Sequence, residues 1–378
     1  MHYKLYGDGI HDDTLAIQEL IDSTKGILTL PQPEECYLIS KPLELPGNFK
    51  LVLPRFAEVK LMPKSDCYML TNKESEICLK NIEIEGGIWN YNNLEQSPNP
   101  WLGLEEKSEN PDYNGFAIFF KNIKGLRINS LTMKDVITFA ITLDTVSYFT
   151  VDNIVFDFNY GNPLATNMDG VHLNGNCHYG HITNLQGACY DDLVAINADE
   201  GSGGPITNVT VDGIYAEDCH SAVRLYSGSD KYPVKNIHIT NVYGTYFQYC
   251  IGITRCPFTG GVGCFDGITL DNIYASKAVR LPVYNKPEDS YVYPLIFIDD
   301  ELYIKALKIA DLHRVEYVIP IDTILVRENT VIEQMILENI TTENHTGEPM
   351  RFFRNCGTIN HLHTNALYED NEPVTISI

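Results

Sequence analysis

Gly170-Val171-His172-Leu173-Asn174 and Leu193-Val194-Ala195-Ile196-Asn197 carry one short pattern. It recurs at Ala140-Ile141-Thr142-Leu143-Asp144, Ala222-Val223-Arg224-Leu225-Tyr226 and Cys250-Ile251-Gly252-Ile253-Thr254. Alternation with period two places Ile141, Val171, Val194, Val223 and Ile251 in one inward row and Leu143, Leu173, Ile196, Leu225 and Ile253 in a second. Between these runs an apolar-x-apolar-x-x-apolar pattern repeats, as at Leu126/Ile128/Leu131, Val209/Val211/Ile214, Ile237/Ile239/Val242 and Ile268/Leu270/Ile273. Short strands repeating at one coil length, with Asn and Gly at the corners, predict an all-β solenoid, a single-stranded parallel β-helix.

Working outward, residues 1–30 read as a cap over the first coil. Asp12 and Asp13 suit a helix start, Leu15, Ala16, Ile17, Leu20 and Ile21 form its apolar face, and Gly26 suits its end. The stretch 90–115, rich in Asn, Pro and aromatic residues, reads as a long loop over one face, and 279–332 breaks the spacing and reads as an irregular insertion. All of this belongs to one domain spanning 1–378.

The chain has 378 residues and a formal charge of -23, with 27 Lys and Arg that form no basic stripe. A nucleic-acid partner is therefore not expected, and a polyanionic glycan is disfavoured. No apolar run is long enough to span a membrane, and the opening residues lack the apolar core of a signal peptide. The expectation from the sequence as it stands is a soluble cytoplasmic protein, or an extracellular or periplasmic one if a leader has been trimmed. The ten cysteines show no metal-type spacing and read as reduced, mostly buried residues. No cofactor or metal is called for, and the sequence is silent on oligomeric state.

The register also places the polar residues. Thr142, His172, Ala195, Arg224 and Gly252 form one outward, exposed row, and Asp144, Asn174, Asn197, Tyr226 and Thr254 the next. Asp169 and Asp192 each precede the first row by three residues, which stacks them about 5 Å apart on neighbouring coils. Asp191 lies one residue further back, and Arg224 stands two coils from His172, roughly 10 Å away. Carboxylates gathered this closely suit glycosidic bond cleavage. Asp169, Asp191 and Asp192 are thus the catalytic candidates, and His172, Arg224, Tyr226, Asn174 and Asn197 the substrate-binding ones.

At these residues the chain resembles the pectate-lyase-like right-handed β-helix superfamily, and within it the family 28 glycoside hydrolases, the polygalacturonase group. Gly7-Asp8-Gly9-Ile10-His11-Asp12-Asp13 is similar to the superfamily's capping segment. Asn167-Met168-Asp169-Gly170-Val171-His172 resembles the family's Asn-Thr-Asp-Gly-Ile-His motif, and Asp191-Asp192-Leu193-Val194-Ala195-Ile196 its Asp-Asp-Cys-Val-Ala-Ile motif. Arg224-Leu225-Tyr226 falls where the family has Arg-Ile-Lys. The resemblance implies an inverting single displacement on a carbohydrate, with Asp191 as the acid and Asp169 with Asp192 as the base. Two departures bear on substrate. The family's Gly-His-Gly turn is replaced by Asp199-Glu200-Gly201-Ser202-Gly203-Gly204, which has no histidine, and Tyr226 replaces a lysine that helps hold a galacturonate. Both argue against plain polygalacturonate. The same fold also carries polysaccharide lyases and epimerases, and tailspike-type glycan binders without catalysis, which stay open as alternatives.

Overall fold

In the computed structural model, which describes residues 3–256, 258–279 and 293–376, the repeated runs pair in the register their alternation predicts. Val171 lies opposite Ile141 and Val194, Val194 opposite Val223, and Val223 opposite Ile251. Both inward rows are fully buried. The ladder they form begins at Leu43–Leu45 and continues, coil by coil, to Phe353–Asn355. A second ladder is made of longer strands such as Ile206–Cys219, Val234–Tyr246 and Gly263–Lys277, again parallel and in register. The protein is a right-handed parallel β-helix.

The long strands turn the corner at residues held in the left-handed conformation. Asn153, Asn184, Asn241, Asn272 and Asn339 share one column, with φ between 51° and 58°. Asparagine tolerates this conformation because its short amide bonds locally. Here the amide also ties the coils together: Asn184 Nδ2 donates to Asp152 Oδ1 at 2.8 Å, Asn241 Nδ2 to Asp212 Oδ1 at 2.6 Å, and Asn272 Nδ2 to Asn241 Oδ1.

The helix Thr14–Ser23 closes the first coil with Ile17 and Ile21, both fully buried. Leu15, expected on that face, is 52% exposed, because the helix is short and turns Leu15 to solvent. Asp12 Oδ1 accepts from Thr14 N at 2.9 Å, whereas Asp13 holds the preceding segment by accepting from Tyr6 N and Gly7 N. The loop over 90–115 contains two short 3-10 turns, Asn93–Glu95 and Pro100–Leu102. It packs down on Tyr91 and Tyr113 and leaves Trp101 half exposed.

The irregular insertion expected at 279–332 is a misreading for its described part. Ile296–Ile298, Leu302–Glu316 and Ile324–Val326 continue both ladders in register. Leu307, Ile309 and Leu312 supply the copy of the repeat between Ile268/Leu270/Ile273 and Leu337/Ile340, which accounts for the doubled interval; residues 280–292 lie outside the described residues. No helix among the described residues is long and apolar enough to cross a membrane. The ten cysteines are free thiols, most of them buried or half-buried.

Ile196 sits in the inward row between Leu173 and Leu225 and is fully buried. Ile196→Ala removes that contact on both sides and is expected to cost about 3 kcal/mol, as buried large-to-small substitutions do. Urea unfolding followed by circular dichroism checks it as a lowered midpoint.

Candidate active site

Asp169 and Asp192 are brought together by the ladder itself. Gly170 N donates to Asp192 O across the coils, and Asp192 N donates to Asp169 Oδ1, each at 3.0 Å. Asp192 opens the strand Asp192–Asn197 opposite Ser221, whose Oγ donates to Asp192 Oδ1. Arg224 Nη1 lies 3.7 Å from Asp192 Oδ2. Asp191, one residue earlier, accordingly meets the residue before Ser221: His220 Nδ1 is 3.4 Å from Asp191 Oδ1. Asn167 Nδ2 approaches Asp191 Oδ2 at 3.4 Å. Asp191 keeps 23% of its side chain exposed, against 4% for Asp169 and 3% for Asp192. Of the three carboxyls, Asp191 is the one partly open to solvent.

His172 lies beneath the cluster and is buried to 1%. Its Nδ1 is 2.6 Å from Asp169 Oδ2, its Nε2 is 2.9 Å from Glu200 Oε2, and the Phe139 ring stacks on it at 3.8 Å and 11°. Burial opposes charge on the ring, yet the carboxylates at its two nitrogens hold its pKa up at about 10. Burial, together with the charges of Asp191 and Asp192, pushes Asp169 up to about 7 against the pull of His172. Asp192 is raised as well, by burial first and by Asp191 next. Burial also pushes Glu200 upward, but its contact with His172 outweighs this and lowers it. Four carboxyls thus face two firm cations, His172 and Arg224, and the surplus negative charge favours one retained proton among the aspartates.

Several of the expected substrate contacts are covered. The outward row points away from the core, as expected, but Thr142, His172 and Ala195 are buried and not exposed. Phe139 covers His172, and the Tyr249 ring lies on Gly252, where an added Cβ would meet it at 2.6 Å. Asn174 and Asn197 are buried under the turn 199–204. Glu200 N donates to Asn197 O at 3.3 Å, and Gly201, at φ 59°, presses so close to Asp144 and Asn174 that a Cβ there would meet their side chains within 2.4 Å. Tyr226 is buried under Arg224, whose guanidinium lies 4.3 Å from its ring centroid. Arg224 itself remains partly open and donates from Nε to Thr254 Oγ1 at 3.0 Å.

His220, Glu200 and Phe139 were not singled out from the sequence. His220 was legible in principle: the register pairing Ala195 with Arg224 also sets Asp191 opposite His220. Glu200 belongs to a turn whose path no register encodes. Asp191, Asp192 and His220 also form the only group among the described residues whose ligand atoms come within 4.8 Å of one another, close enough for a metal ion. Arg224 beside Asp192 opposes a cation there.

Residues 66–283, more than half of the chain, match the glycosyl hydrolases family 28. The chain belongs to that family. No curated protein matches it in sequence. Among solved structures, it is similar to an exopolygalacturonase from Thermotoga maritima, with 15% identity and a TM-score of 0.62 over 95% of this chain and 89% of that one. It is also similar to the A-module of a mannuronan C-5 epimerase from Azotobacter vinelandii, with 12% identity and a TM-score of 0.59 over 99% and 98%. A third likeness is to the tailspike protein of E. coli bacteriophage HK620, with 12% identity and a TM-score of 0.66 over 93% of this chain and 61% of that one. At these identities the likeness is one of fold. In this family 28 chain the two acid motifs and two histidines, His172 and His220, meet in one cluster.

His172 and Asp169 both have raised folded-state pKa values, so each binds its proton more tightly in the folded protein. Their contribution to stability is greatest at low pH and is lost as pH rises, through about 7 for Asp169 and about 10 for His172. His172→Asn leaves Asp169 and Glu200 without their shared cation and is expected to cost about 3 kcal/mol at neutral pH. It should also lessen the fall in melting temperature between pH 8 and 10.5, to which loss of the His172 proton contributes, as calorimetry of both proteins across that range would show.

Proposed function

We propose that this family 28 protein hydrolyses a glycosidic bond by single displacement with inversion, on a plant or microbial oligosaccharide or polysaccharide other than plain polygalacturonate. The observation that carries the reading is the convergence of three aspartates from two coils, with only Asp191 open to the groove and His220 against it. Asp191 is then the proton donor to the leaving oxygen, since it is the carboxyl a substrate can touch. Asp169 and Asp192, stacked beneath it, hold and deprotonate the attacking water. A cluster with more carboxyls than cations keeps a proton near neutral pH, as a general acid requires. His220 orients Asp191, and Arg224 balances Asp192.

The exclusion of polygalacturonate rests on charge. Among the described residues, Arg224 is the one arginine or lysine paired with the three aspartates, and it is already engaged by Asp192, Thr254 and the Tyr226 ring. A lyase or epimerase acting on uronates calls for a basic cluster at the carboxylate, and a single shared arginine does not make one.

Asp191→Asn is expected to lower turnover by about 10³-fold and His220→Ala by about 10²-fold, both with glycan binding retained. Reducing-end assays on pectic, hemicellulosic and neutral oligosaccharides, read beside the absorbance of unsaturated products, check this. Unsaturated product would transfer the assignment to a lyase, and binding without turnover in the wild type would mark a glycan binder. For the wild type, kcat/KM should rise as pH rises through about 7, where Asp169, on the base side, gives up its proton. A profile already flat from pH 5 upward would contradict Asp169 as part of the base.

A further inference from the structure

The outward row defines a line along the solenoid axis: Phe119, Thr142, His172, Ala195, Arg224, Gly252 and Phe297 follow one another in register. Successive coils advance by about 4.8 Å, so the line is polar in the middle and differs on its two sides. Toward the C-terminal coils it meets Arg224. Toward the N-terminal coils it enters a cavity of about 640 Å³ walled by Trp101, Phe116, Phe119, Phe139 and Phe258. Glu200 and Asn167 close this cavity on the side of the acid cluster, and no Lys or Arg lines it.

The aromatic wall is continuous with the chemistry. Phe139 stacks on His172 at 3.8 Å and on Phe116 at 4.8 Å, and Trp101 lies 5.0 Å from Phe139. Asn167, which lines the cavity, also approaches Asp191 at 3.4 Å. If these rings served only to pack the loop down, they would be covered. Instead Trp101 is 48% exposed and Phe258 is 89% exposed. Such rings take the C–H face of a sugar, and four of the five, the phenylalanines, have no polar atom with which to bind a polar group. The size lies within the usual span of about 300–1,000 Å³ for small-molecule sites. A sugar carrying a carboxylate would meet Asp144 and Glu200, with no lysine or arginine lining the cavity.

We propose that this cavity is a subsite for an uncharged sugar ring, such as a 6-deoxyhexose, seated by its apolar face on Phe116, Phe119 and Trp101 beside the bond cleaved at Asp191. The assignment rests on the hydrolase reading, for which it names the neighbouring sugar.

The chain has two tryptophans, and Trp89 is fully buried. Tryptophan emission therefore reports occupancy of this cavity through Trp101 without any turnover. Titrations of wild type and of Asp191→Asn with methyl 6-deoxygalactoside, phenyl galactoside and digalacturonate at physiological salt test the proposal. The 6-deoxy sugar should bind at least five-fold more tightly than digalacturonate. Phe258→Ala, at a fully exposed side chain that folding does not need, should weaken the 6-deoxy sugar several-fold and leave digalacturonate unchanged. Digalacturonate binding as tightly as the uncharged sugar, or a response to the phenyl glycoside alone, would overturn it. A Trp101 response to the 6-deoxy sugar in a protein that cleaves no glycan would keep the subsite and remove the hydrolase. Cleavage of polygalacturonate with the best response to digalacturonate would do the reverse.

Discussion

Everything in this molecule follows from coils that stack in register. Once Val171, Val194 and Val223 occupy one inward column, every outward position is fixed beside its counterparts above and below, at the strand spacing of about 4.8 Å. Like side chains then form columns whether or not they serve a ligand. Tyr215, Tyr243, Tyr274 and His313 stack on the outside of the long strands with centroids 5.2, 5.6 and 4.5 Å apart. Their faces cover one another and leave only edges to solvent, which suits a ladder holding coils together and not a sugar platform. The rings near Trp101 differ because they line a hollow and present open faces to it.

The same stacking gathers charge, and charge so gathered must be balanced. Two buried clusters solve this differently. Arg314 and Glu316 are both fully buried and paired at 2.7 Å, and Arg314 also donates to Ile321 O and Ile319 O. Nearby Lys277 is pushed down to about 7 by burial and by Arg314, while its Nζ donates to backbone carbonyls of Phe247 and Tyr293. Its perturbed pKa marks structure and not chemistry, because the side chain is buried and its ammonium is committed to backbone carbonyls. At Asp169, Asp191 and Asp192 the balance is left short of cations and one carboxyl faces solvent. That combination, and not the size of any shift, separates a site from a strut.

The β-helix was legible because its signal is redundant: two inward columns repeat over many coils, so each residue confirms its neighbours. The three aspartates were legible for the same reason, lying at fixed offsets from those columns. The burial of His172, Asn174, Asn197 and Tyr226 was not, since alternation says which way a side chain points and nothing about what lies over it. Phe139 and the turn around Gly201 supply that cover, and both belong to segments between strands, where spacing carries no register. His220 sits between these cases. It lies in register with Asp191, but it was overlooked because the histidine was sought in the turn after the double aspartate and not on the next coil.

Floor and walls therefore have different origins. The floor is dictated by the ladder, and the ladder alone does not name a chemistry: an exopolygalacturonase, a mannuronan C-5 epimerase and a phage tailspike share its fold. What distinguishes this chain is what its loops add. Residues 90–115 bring Trp101, and the turn 199–204 brings Glu200, whose carboxylate pairs with His172 and also lines the adjoining cavity. Under the proposed subsite, a single side chain would then link the protonation of the floor to the charge of the ring that the wall admits. Removing Glu200 would relax both at once, so exclusion of uronates and the proton balance at Asp169 would be coupled in such a site.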